Sequence, residues 1–340
     1  MKAMLLEAFK TPYVLSDLPD PEPGPGEVLI GVRACAADTF NVKIRDGEVP
    51  RAKVPLIPGH EFSGVIAALG SDVEGWAVGQ RVVNPFYLGC GVCRKCTTGR
   101  ETICEGGIRY LGVDSPGGFA EYTVVPARAL VELPDSISFP HGSILANAVG
   151  TAYHALSRRM RLKAGERVII TGAGGGVGLH AIQLARLMGA FVMAVDIGKA
   201  KLGAMEKYGA DVVVDPLEDD FSTIAQEWSR GMGVEAVLEL VGMETIASSL
   251  KSLGKGGRLV IVGSHTGRDI PVHAGQMVGN EWEILGSRNV SKQELMEVVY
   301  LVENGRIQPV VSEIHPLQDL ELILKRIQDR EIVGRVALEP

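Results

Sequence analysis

A glycine-rich stretch, TGAGGGVG at Thr171–Gly178, lies between a predicted strand and a predicted helix and constrains the fold more than any other segment. Around it, short apolar runs alternate with helical patterns from Arg167 to Gly263. Strands that alternate with helices form a parallel sheet with helices on both faces. The chain beyond about residue 150 is therefore predicted to form a doubly wound α/β domain.

The glycines of this loop are spaced to suit a bound dinucleotide. A tight turn, an approach of phosphate to the backbone and close packing of helix on strand each require a missing side chain. The following helix would direct free N–H groups and the positive end of its dipole toward the phosphates. The loop residues predicted to bind the cofactor are Gly172, Gly175, Gly176, Val177 and Gly178.

An acidic residue follows where such a site requires one. Asp196 stands at the end of the predicted strand Phe191–Val195, 18 residues after Gly178. A carboxylate at this position accepts hydrogen bonds from the ribose hydroxyls of the adenosine and repels a 2′-phosphate. The sequence therefore predicts NAD, rather than NADP, as the cofactor.

The N-terminal part of the chain has a different character. Short strands are predicted at Val28–Ala34, Glu61–Ala68 and Arg81–Asn84, with turn residues between them and no long amphipathic helix. A last strand is predicted near the C-terminus at Gly334–Leu338. This pattern predicts a β-rich domain in addition to the α/β domain.

Four of the five cysteines lie within fifteen residues, in the pattern C-x2-C-x2-C-x7-C. Four thiolates at this spacing can surround one tetrahedral Zn²⁺ and leave no open position. An iron–sulfur cluster or free thiols are the alternatives. A closed zinc site holds a loop in place and performs no chemistry. The predicted structural ligands are Cys90, Cys93, Cys96 and Cys104.

Charge and hydropathy exclude several classes of function. The chain has 34 basic and 41 acidic residues, a formal net charge of −7, which argues against a nucleic-acid or anionic-membrane partner. No run of about 18 apolar residues is present, and Glu7 and Lys10 interrupt the short apolar N-terminus. We therefore expect a soluble cytoplasmic protein that acts on a small molecule.

Together with these features, several motifs resemble the medium-chain dehydrogenase/reductase family, which includes the zinc alcohol dehydrogenases. The motifs are Gly59-His60-Glu61, the stretch ending at Gly79–Val83, Gly118–Tyr122, Gly150–Tyr153, the four cysteines and the TGAGGGVG loop. The resemblance covers essentially the whole chain. It implies a GroES-like catalytic domain formed by residues 1–147 and 288–340, and a Rossmann domain formed by residues 148–287.

The resemblance also implies hydride transfer with NAD(H) and assigns further residues. In the family, a lysine at the position of Lys201 assists the ribose-binding Asp196. The resemblance favours zinc in the four-cysteine site and implies a homodimer or homotetramer, in which the strand Trp282–Ser287 pairs across the dimer. The strand ends that flank the adenosine and the nicotinamide are Gly242, Val262, Gly263 and Ser264.

The chain departs from the family at the catalytic zinc, which alcohol dehydrogenases bind with Cys, His and a third Cys, Asp or Glu. His60 and the adjacent Glu61 match, but the first ligand position holds Asp38 and the third holds Asn147. The proton-relay hydroxyl is replaced by a phenylalanine, which we expect to line the substrate pocket, and the neighbouring Thr39 is the candidate relay residue. Carboxylate oxygen and imidazole nitrogen are both zinc ligands, so a catalytic zinc is an expectation for this centre.

Two reactions are compatible with this centre. With zinc as a Lewis acid, the protein interconverts an alcohol and an aldehyde or ketone, which is the reaction we favour. The alternative is reduction of activated C=C bonds, as zinc-free relatives do with quinones, enals or acyl-CoA thioesters, and Gly178–Gln183 resembles acryloyl-CoA reductases. In that case Asp38, His60 and Asn147 form a polar cluster that can donate a proton.

Overall fold

The strands of the chain form two large β-sheets, one mainly antiparallel and one parallel, and the described residues also form two two-stranded sheets. The structure, a computed structural model, describes residues 1–263, 269–270 and 272–340. These residues divide into two units. The first unit is Met1–Gly150, Asn289–Gly305 and Pro309–Pro340, and the second unit is Thr151–Arg288 and Arg306–Gln308.

The elements are numbered in chain order. The strands are β1 (Lys2–Leu5), β2 (Val14–Asp17), β3 (Glu27–Ala37), β4 (Glu61–Leu69), β5 (Arg81–Val83), β6 (Tyr87–Leu88), β7 (Arg109–Tyr110), β8 (Tyr122–Pro126), β9 (Val131–Glu132), β10 (Arg167–Thr171), β11 (Phe191–Val195), β12 (Val212–Val214), β13 (Val234–Glu239), β14 (Leu253–Ile261), β15 (Glu283–Gly286), β16 (Val311–Pro316) and β17 (Arg335–Glu339). The α-helices are α1 (Thr39–Arg45), α2 (Arg94–Thr97), α3 (Phe139–Ser143), α4 (Gly150–Tyr153), α5 (Gly176–Leu187), α6 (Lys199–Lys207), α7 (Phe221–Trp228), α8 (Ile246–Ser252), α9 (Ala274–Asn280), α10 (Lys292–Glu303) and α11 (Leu320–Gln328). The two two-stranded sheets are β1-β2 and β6-β7. None of the described helices is long and apolar enough to span a membrane.

The first unit is built on a seven-stranded sheet with the strand order β16-β17-β3-β4-β5-β9, in which β8 also pairs with β3. Its pairings are antiparallel except for that of β16 with β17. Along β3, Val28, Ile30 and Val32 alternate with less buried residues, as a strand with one buried face requires. They share a core with Phe62 and Phe119. The predicted β-rich domain is confirmed.

The second unit is built on a six-stranded parallel sheet with the order β12-β11-β10-β13-β14-β15. Consecutive residues Val168, Ile169 and Ile170 of the central strand β10 are all fully buried. A strand that is apolar on both faces is typical of a parallel sheet covered by helices. The predicted doubly wound α/β domain is confirmed.

The structure contains helical segments between residues 139 and 160 that periodicity did not reveal. Two π-helical segments, Leu145–Val149 and His154–Met160, flank the short helix α4. A π-helix has an i→i+5 hydrogen-bond pattern, so its apolar residues do not repeat at the spacing of an α-helix. The first of these segments carries Asn147.

Candidate active site

Strand pairing in the first unit brings Asp38, His60 and Glu61 together. Residues Ala36 and Glu61 are paired in the antiparallel ladder of β3 and β4. The residue that follows β3 therefore lies beside the residue that precedes β4. Each of the three side chains is almost completely buried, with at most 6% of its residue exposed. Burial of a polar or charged group is costly unless it has a hydrogen-bond or ion-pair partner. The three side chains must therefore be compensated by each other or by neighbouring groups.

The two carboxylate oxygens of Asp38 have different partners: one caps helix α1 and the other faces His60. It is the N-cap of α1, and its Oδ1 accepts hydrogen bonds from the backbone N–H groups of Phe40, at 2.9 Å, and Asn41, at 3.2 Å. Its Oδ2 lies 3.5 Å from Nε2 of His60. Because helix capping fixes the carboxylate, the second oxygen is held toward the imidazole.

The imidazole of His60 directs Nε2 toward three polar side chains. This nitrogen lies 3.5 Å from Asp38 Oδ2, 3.9 Å from Glu61 Oε1 and 3.1 Å from Asn147 Nδ2. Among the described residues, Nδ1 of His60 has no hydrogen-bond partner. Nε2 is therefore the ring nitrogen that can bind a metal ion or exchange a proton with these side chains.

Asn147 connects the imidazole to a second asparagine. Its Nδ2 donates a hydrogen bond of 2.6 Å to Glu61 Oε1, and its Oδ1 accepts one of 3.0 Å from Asn289 Nδ2. Asn289 precedes α10 and is not a residue that the sequence analysis identified. No local motif marks it, because it comes 142 residues after its partner.

Arg335 is the second residue that the sequence analysis missed. Its Nη2 lies 3.1 Å from Glu61 Oε1 and 3.6 Å from Asp38 Oδ2. Pairing of β17 with β3 aligns Val336 with Ala37 and so carries the guanidinium into the cluster. A single cationic residue at the start of the apolar strand β17 is the only signal that the sequence offers.

The pKa values of the side chains in the cluster are shifted in opposite directions. Burial raises the pKa of Glu61, although Arg335 opposes this effect. For Asp38, burial is outweighed by the His60 imidazole and the Arg335 guanidinium, and the pKa is held below its usual range. Burial alone would lower the pKa of His60, but the Asp38 carboxylate beside it raises it.

Aromatic rings cover the imidazole. Phe40 meets His60 edge-on, with ring centroids 5.3 Å apart, and Phe86 lies at 4.5 Å. Thr39, the candidate relay residue, is the exposed first residue of α1. Its side chain is not part of the buried cluster around His60. Cys35 of β3 is fully buried in the apolar core.

The donor set of this cluster fits a zinc ion. Bonds of about 2.0–2.1 Å to nitrogen and oxygen place neighbouring tetrahedral ligands roughly 3.3 Å apart. One possible ligand atom from each of Asp38, His60 and Glu61 lies within 4.8 Å of the other two. The Nδ2 of Asn147 is 3.1 Å from Nε2 of the imidazole. The Oδ1 of Asn147 accepts from Asn289 Nδ2, so the Nδ2 that faces the imidazole is not a metal ligand, and the predicted ligand role of Asn147 is not supported by this arrangement.

The four predicted cysteine ligands also form one group. Cys90 and Cys96 have their Sγ atoms 4.0 Å apart, and those of Cys93 and Cys104 are 3.7 Å apart. Four thiolates around zinc, with bonds of about 2.3 Å, have sulfur–sulfur distances of roughly 3.8 Å. The backbone N–H of Cys96 is the main cause that lowers the pKa of Cys93 to about 5. The sulfur–sulfur distances fit a closed structural zinc site.

Glycines of the second unit shape the predicted cofactor loop. Gly172 has a φ of +61°, which favours glycine, and a Cβ on Gly178 would lie 2.5 Å from the Cα of Ala173. Helix α5 begins at Gly176, with Gly175 as its N-cap, so its free N–H groups lie at the loop, and Val177 is in its first turn. These residues therefore form the strand–loop–helix geometry of a phosphate site.

Asp196 is held at the end of β11 by the same loop. Its Oδ2 accepts a hydrogen bond of 2.9 Å from the Gly174 N–H, and Oδ1 accepts one of 2.7 Å from Ile197 N–H. Lys201 Nζ lies 3.7 Å from Oδ1. A Cβ on Gly174 would meet the Lys201 side chain at 2.5 Å, so glycine is required at this position as well.

Glu239, at the end of β13, was not identified from the sequence and organises the neighbouring loops. This fully buried carboxylate accepts hydrogen bonds from five groups. They are the hydroxyls of Thr171, Thr245 and Ser249 and the backbone N–H groups of Val241 and Gly242. Its carbonyl oxygen accepts from the N–H groups of Val262 and Gly263. The predicted site residue Ser264 lies outside the described residues.

Comparison with known proteins identifies the family. The description "Alcohol dehydrogenase GroES-like domain" matches residues 24–135, and "Zinc-binding dehydrogenase" matches residues 176–304. An alcohol dehydrogenase of Geobacillus stearothermophilus is 36% identical over 100% of this chain and 99% of its own length. An acryloyl-coenzyme A reductase of Sulfurisphaera tokodaii is 32% identical, with complete coverage of both chains. A solved NAD-dependent alcohol dehydrogenase has a TM-score of 0.94 and 31% identity, also with complete coverage of both chains. This chain therefore belongs to the medium-chain dehydrogenase/reductase family, in its zinc-type alcohol dehydrogenase-like group.

Proposed function

We propose that this oxidoreductase uses NAD(H) to interconvert an alcohol and an aldehyde or ketone. The observation that carries the proposal is the buried group of Asp38 Oδ2, His60 Nε2 and Glu61 Oε1, whose spacing suits one zinc ion. When bound there, zinc supplies a Lewis acid for the substrate oxygen. The nicotinamide of the cofactor supplies or accepts the hydride.

The chain's own residues hold and shield this centre. Asp38 and His60 would be the principal ligands, with Glu61 as the third, because the Nδ2 of Asn147 and not its Oδ1 faces the imidazole. Phe40 and Phe86 exclude water from the imidazole, which strengthens electrostatic interactions there. A neutral amide in place of a thiolate makes this a weaker zinc site than the four-cysteine site.

The preference for NAD over NADP rests on Asp196. Its carboxylate stands at the end of β11 beside the glycine loop, where its hydrogen bonds to Gly174 and Ile197 fix its direction. A carboxylate at that place accepts hydrogen bonds from the ribose hydroxyls of NAD, and its negative charge repels the 2′-phosphate of NADP. Lys201, 3.7 Å away, would assist at the ribose.

Metal analysis combined with two substrate sets tests the proposal. The protein is purified without chelator, supplied with zinc and dialysed. We expect two zinc ions per chain and oxidation of ethanol or cyclohexanol with NAD. His60→Ala should lose one zinc and the activity, and Asn147→Cys, which introduces a thiolate, should bind the second zinc more tightly. One zinc per chain in all three proteins would refute a catalytic zinc.

A second candidate function is reduction of activated C=C bonds, and the Arg335–Glu61 ion pair favours it. Because the guanidinium already compensates the buried carboxylates, the cluster can persist without a second cation, with His60 as a proton donor. A relative that matches this chain over the full length of both proteins is named acryloyl-coenzyme A reductase. One zinc per chain, with NADH-dependent reduction of 2-cyclohexen-1-one or crotonyl-CoA that His60→Ala abolishes, would establish this alternative.

A further inference from the structure

The four-cysteine lobe (residues 89–107) is bound to the start of α10 through Glu101. Glu101 begins a short 3₁₀ turn, Glu101–Ile103, that leads directly to the ligand Cys104. Its Oε1 accepts a hydrogen bond of 2.5 Å from the backbone N–H of Lys292, the first residue of α10. The first N–H groups of a helix have no partner within the helix, and a carboxylate there is favoured by the dipole.

A second connection joins the same helix start to the other side of the lobe. Lys292 Nζ donates a hydrogen bond of 2.8 Å to the Arg128 carbonyl oxygen, and Arg128 Nη2 donates one of 2.8 Å to the Gly89 carbonyl oxygen. Gly89 precedes the ligand Cys90, and a Cβ on Gly89 would lie 2.8 Å from the Sγ of Cys96. The cysteine-bearing segment is therefore connected to Lys292 directly at Glu101 and through Arg128 at Gly89.

The residues just before α10 lead to the centre described above. Asn289 is 4% exposed, has a φ of +49° and donates its amide to Asn147 Oδ1 at 3.0 Å. Next to it, Val290 packs on Gly150, where a Cβ would approach it to 2.8 Å. The N-cap Ser291 forms a capping box that fixes the helix start. The backbone between Asn289 and the helix therefore has little freedom.

We propose that Glu101 is a positioning residue, which couples the four-cysteine lobe to the reactive centre through Lys292 and Asn289. Asn289 orients the amide of Asn147, and that amide contacts both His60 and Glu61. Outer groups that orient the residues of a site control its geometry. The lobe thereby acts on a centre that none of its cysteines touches.

Side-chain amide signals test this coupling without a substrate. The chain has six asparagines, so protein labelled with ¹⁵N-asparagine gives few signals, and Asn147→Ser and Asn289→Ser assign the two that matter. Glu101→Ala should shift both signals while the four-cysteine zinc is retained. Glu101→Gln, which preserves the acceptor oxygen, should restore them. The control is Glu105→Ala, in the same lobe, whose side chain is paired with Lys95 and 61% exposed; it should shift neither signal.

The route through Asn289 has its own test. In an Asn289→Ser background, Glu101→Ala should no longer move the Asn147 signal. An unmoved Asn147 signal in Glu101→Ala itself, or an equal shift in Glu105→Ala, would overturn the proposal. The inference relies on the proposed function only for the role of the centre. Full activity of His60→Ala would refute that role, whereas the amide signals would still report the coupling.

Discussion

Arg335 and Glu61 form an ion pair, with Nη2 3.1 Å from Oε1, although 274 residues separate them in the sequence. The Glu61 side chain is completely buried and that of Arg335 is 12% exposed. A buried carboxylate is costly unless a paired charge and hydrogen bonds compensate it. The last strand of the chain thus supplies the cation that the central cluster requires.

Replacement of Arg335 should therefore destabilise the protein strongly. Arg335→Met leaves the Glu61 carboxylate buried without its cation, at a cost of about 3–5 kcal/mol in the free energy of unfolding. Urea unfolding measures this loss. Arg33→Met, at an exposed position of β3, is the control and should change little. Glu61→Gln combined with Arg335→Met should recover part of the loss, and a fully stable Arg335→Met single variant would contradict the role of the pair.

Removal of one cysteine ligand should separate structural from catalytic zinc. Cys93→Ser disrupts the closed site, so we expect loss of about one zinc ion per chain and a lower Tm. The folded fraction that remains should still turn over substrate. Cys35→Ala serves as the control, because this buried core cysteine lies outside the metal group and its loss should not change zinc content. Lost turnover with unchanged Tm would argue against a structural role for Cys93.

Asp196→Ala should weaken binding of NADH far more than that of NADPH. The lost hydrogen bonds to a charged acceptor are worth about 1.5–3 kcal/mol, which corresponds to roughly a tenfold to hundredfold rise in KM for NADH. For NADPH, removal of charge repulsion offsets this loss. Steady-state kinetics with both cofactors provide the measurement, and exposed Asp219→Ala is the matched control. Equal changes for both cofactors would remove Asp196 from the ribose site.

Glu239→Gln tests the buried acceptor that links the loops of the second unit. The glutamine oxygen can replace Oε1, which accepts four of the five hydrogen bonds, but the NH₂ group then faces the Ser249 hydroxyl that bonds Oε2. Loss of the acceptor charge and of one buried hydrogen bond costs about 1–3 kcal/mol, so we expect a loss of that size in the free energy of unfolding and a higher KM for NADH. The control is Glu235→Gln on the same strand, whose side chain is 39% exposed, and it should cost under about 1 kcal/mol. Equal losses would contradict the special role of Glu239.

The pair of Glu313 and Arg326 predicts a measurable dependence of stability on pH. Hydrogen bonds from Arg326 and His315 lower the pKa of Glu313 to about 2. A lowered pKa in the folded state contributes stability above the unfolded value of 4.5, and this is lost as the pH falls toward 2. Because a third of the Glu313 side chain is exposed, screening limits the effect to below about 1 kcal/mol. Wild type should exceed Glu313→Gln in urea stability at pH 7 and approach it near pH 3; a difference that is independent of pH would refute this account.

Much of the second unit could be predicted from local sequence. The predicted strand Phe191–Val195 has those bounds in the structure, and the helix predicted after the glycine-rich loop is α5, Gly176–Leu187. Their signals, which are apolar periodicity and glycines at turns, involve residues close together in the chain. The π-helical segment that carries Asn147 escaped prediction because it lacks that periodicity.

The buried cluster around His60 could be predicted only in part from the sequence. Asp38, His60, Glu61 and Asn147 were identified because they align with family motifs, and the structure brings them together. Glu239 was missed because a glutamate in an apolar strand gives no sign of the donors that will surround it. Whether such a carboxylate is an exposed charge or a buried acceptor depends on which loops converge on it.

By itself, the sequence determined the parallel α/β unit, the β-rich unit, the glycine loop with Asp196 and the four cysteines. Each of these is encoded by neighbours, through periodicity, turn glycines or chelate spacing. Only the tertiary structure decided that Arg335 and Asn289 complete the cluster around His60 and that Glu101 meets Lys292. These contacts arise from the register of strands and the placement of a helix start across long stretches of chain, and long-range pairing leaves no local pattern.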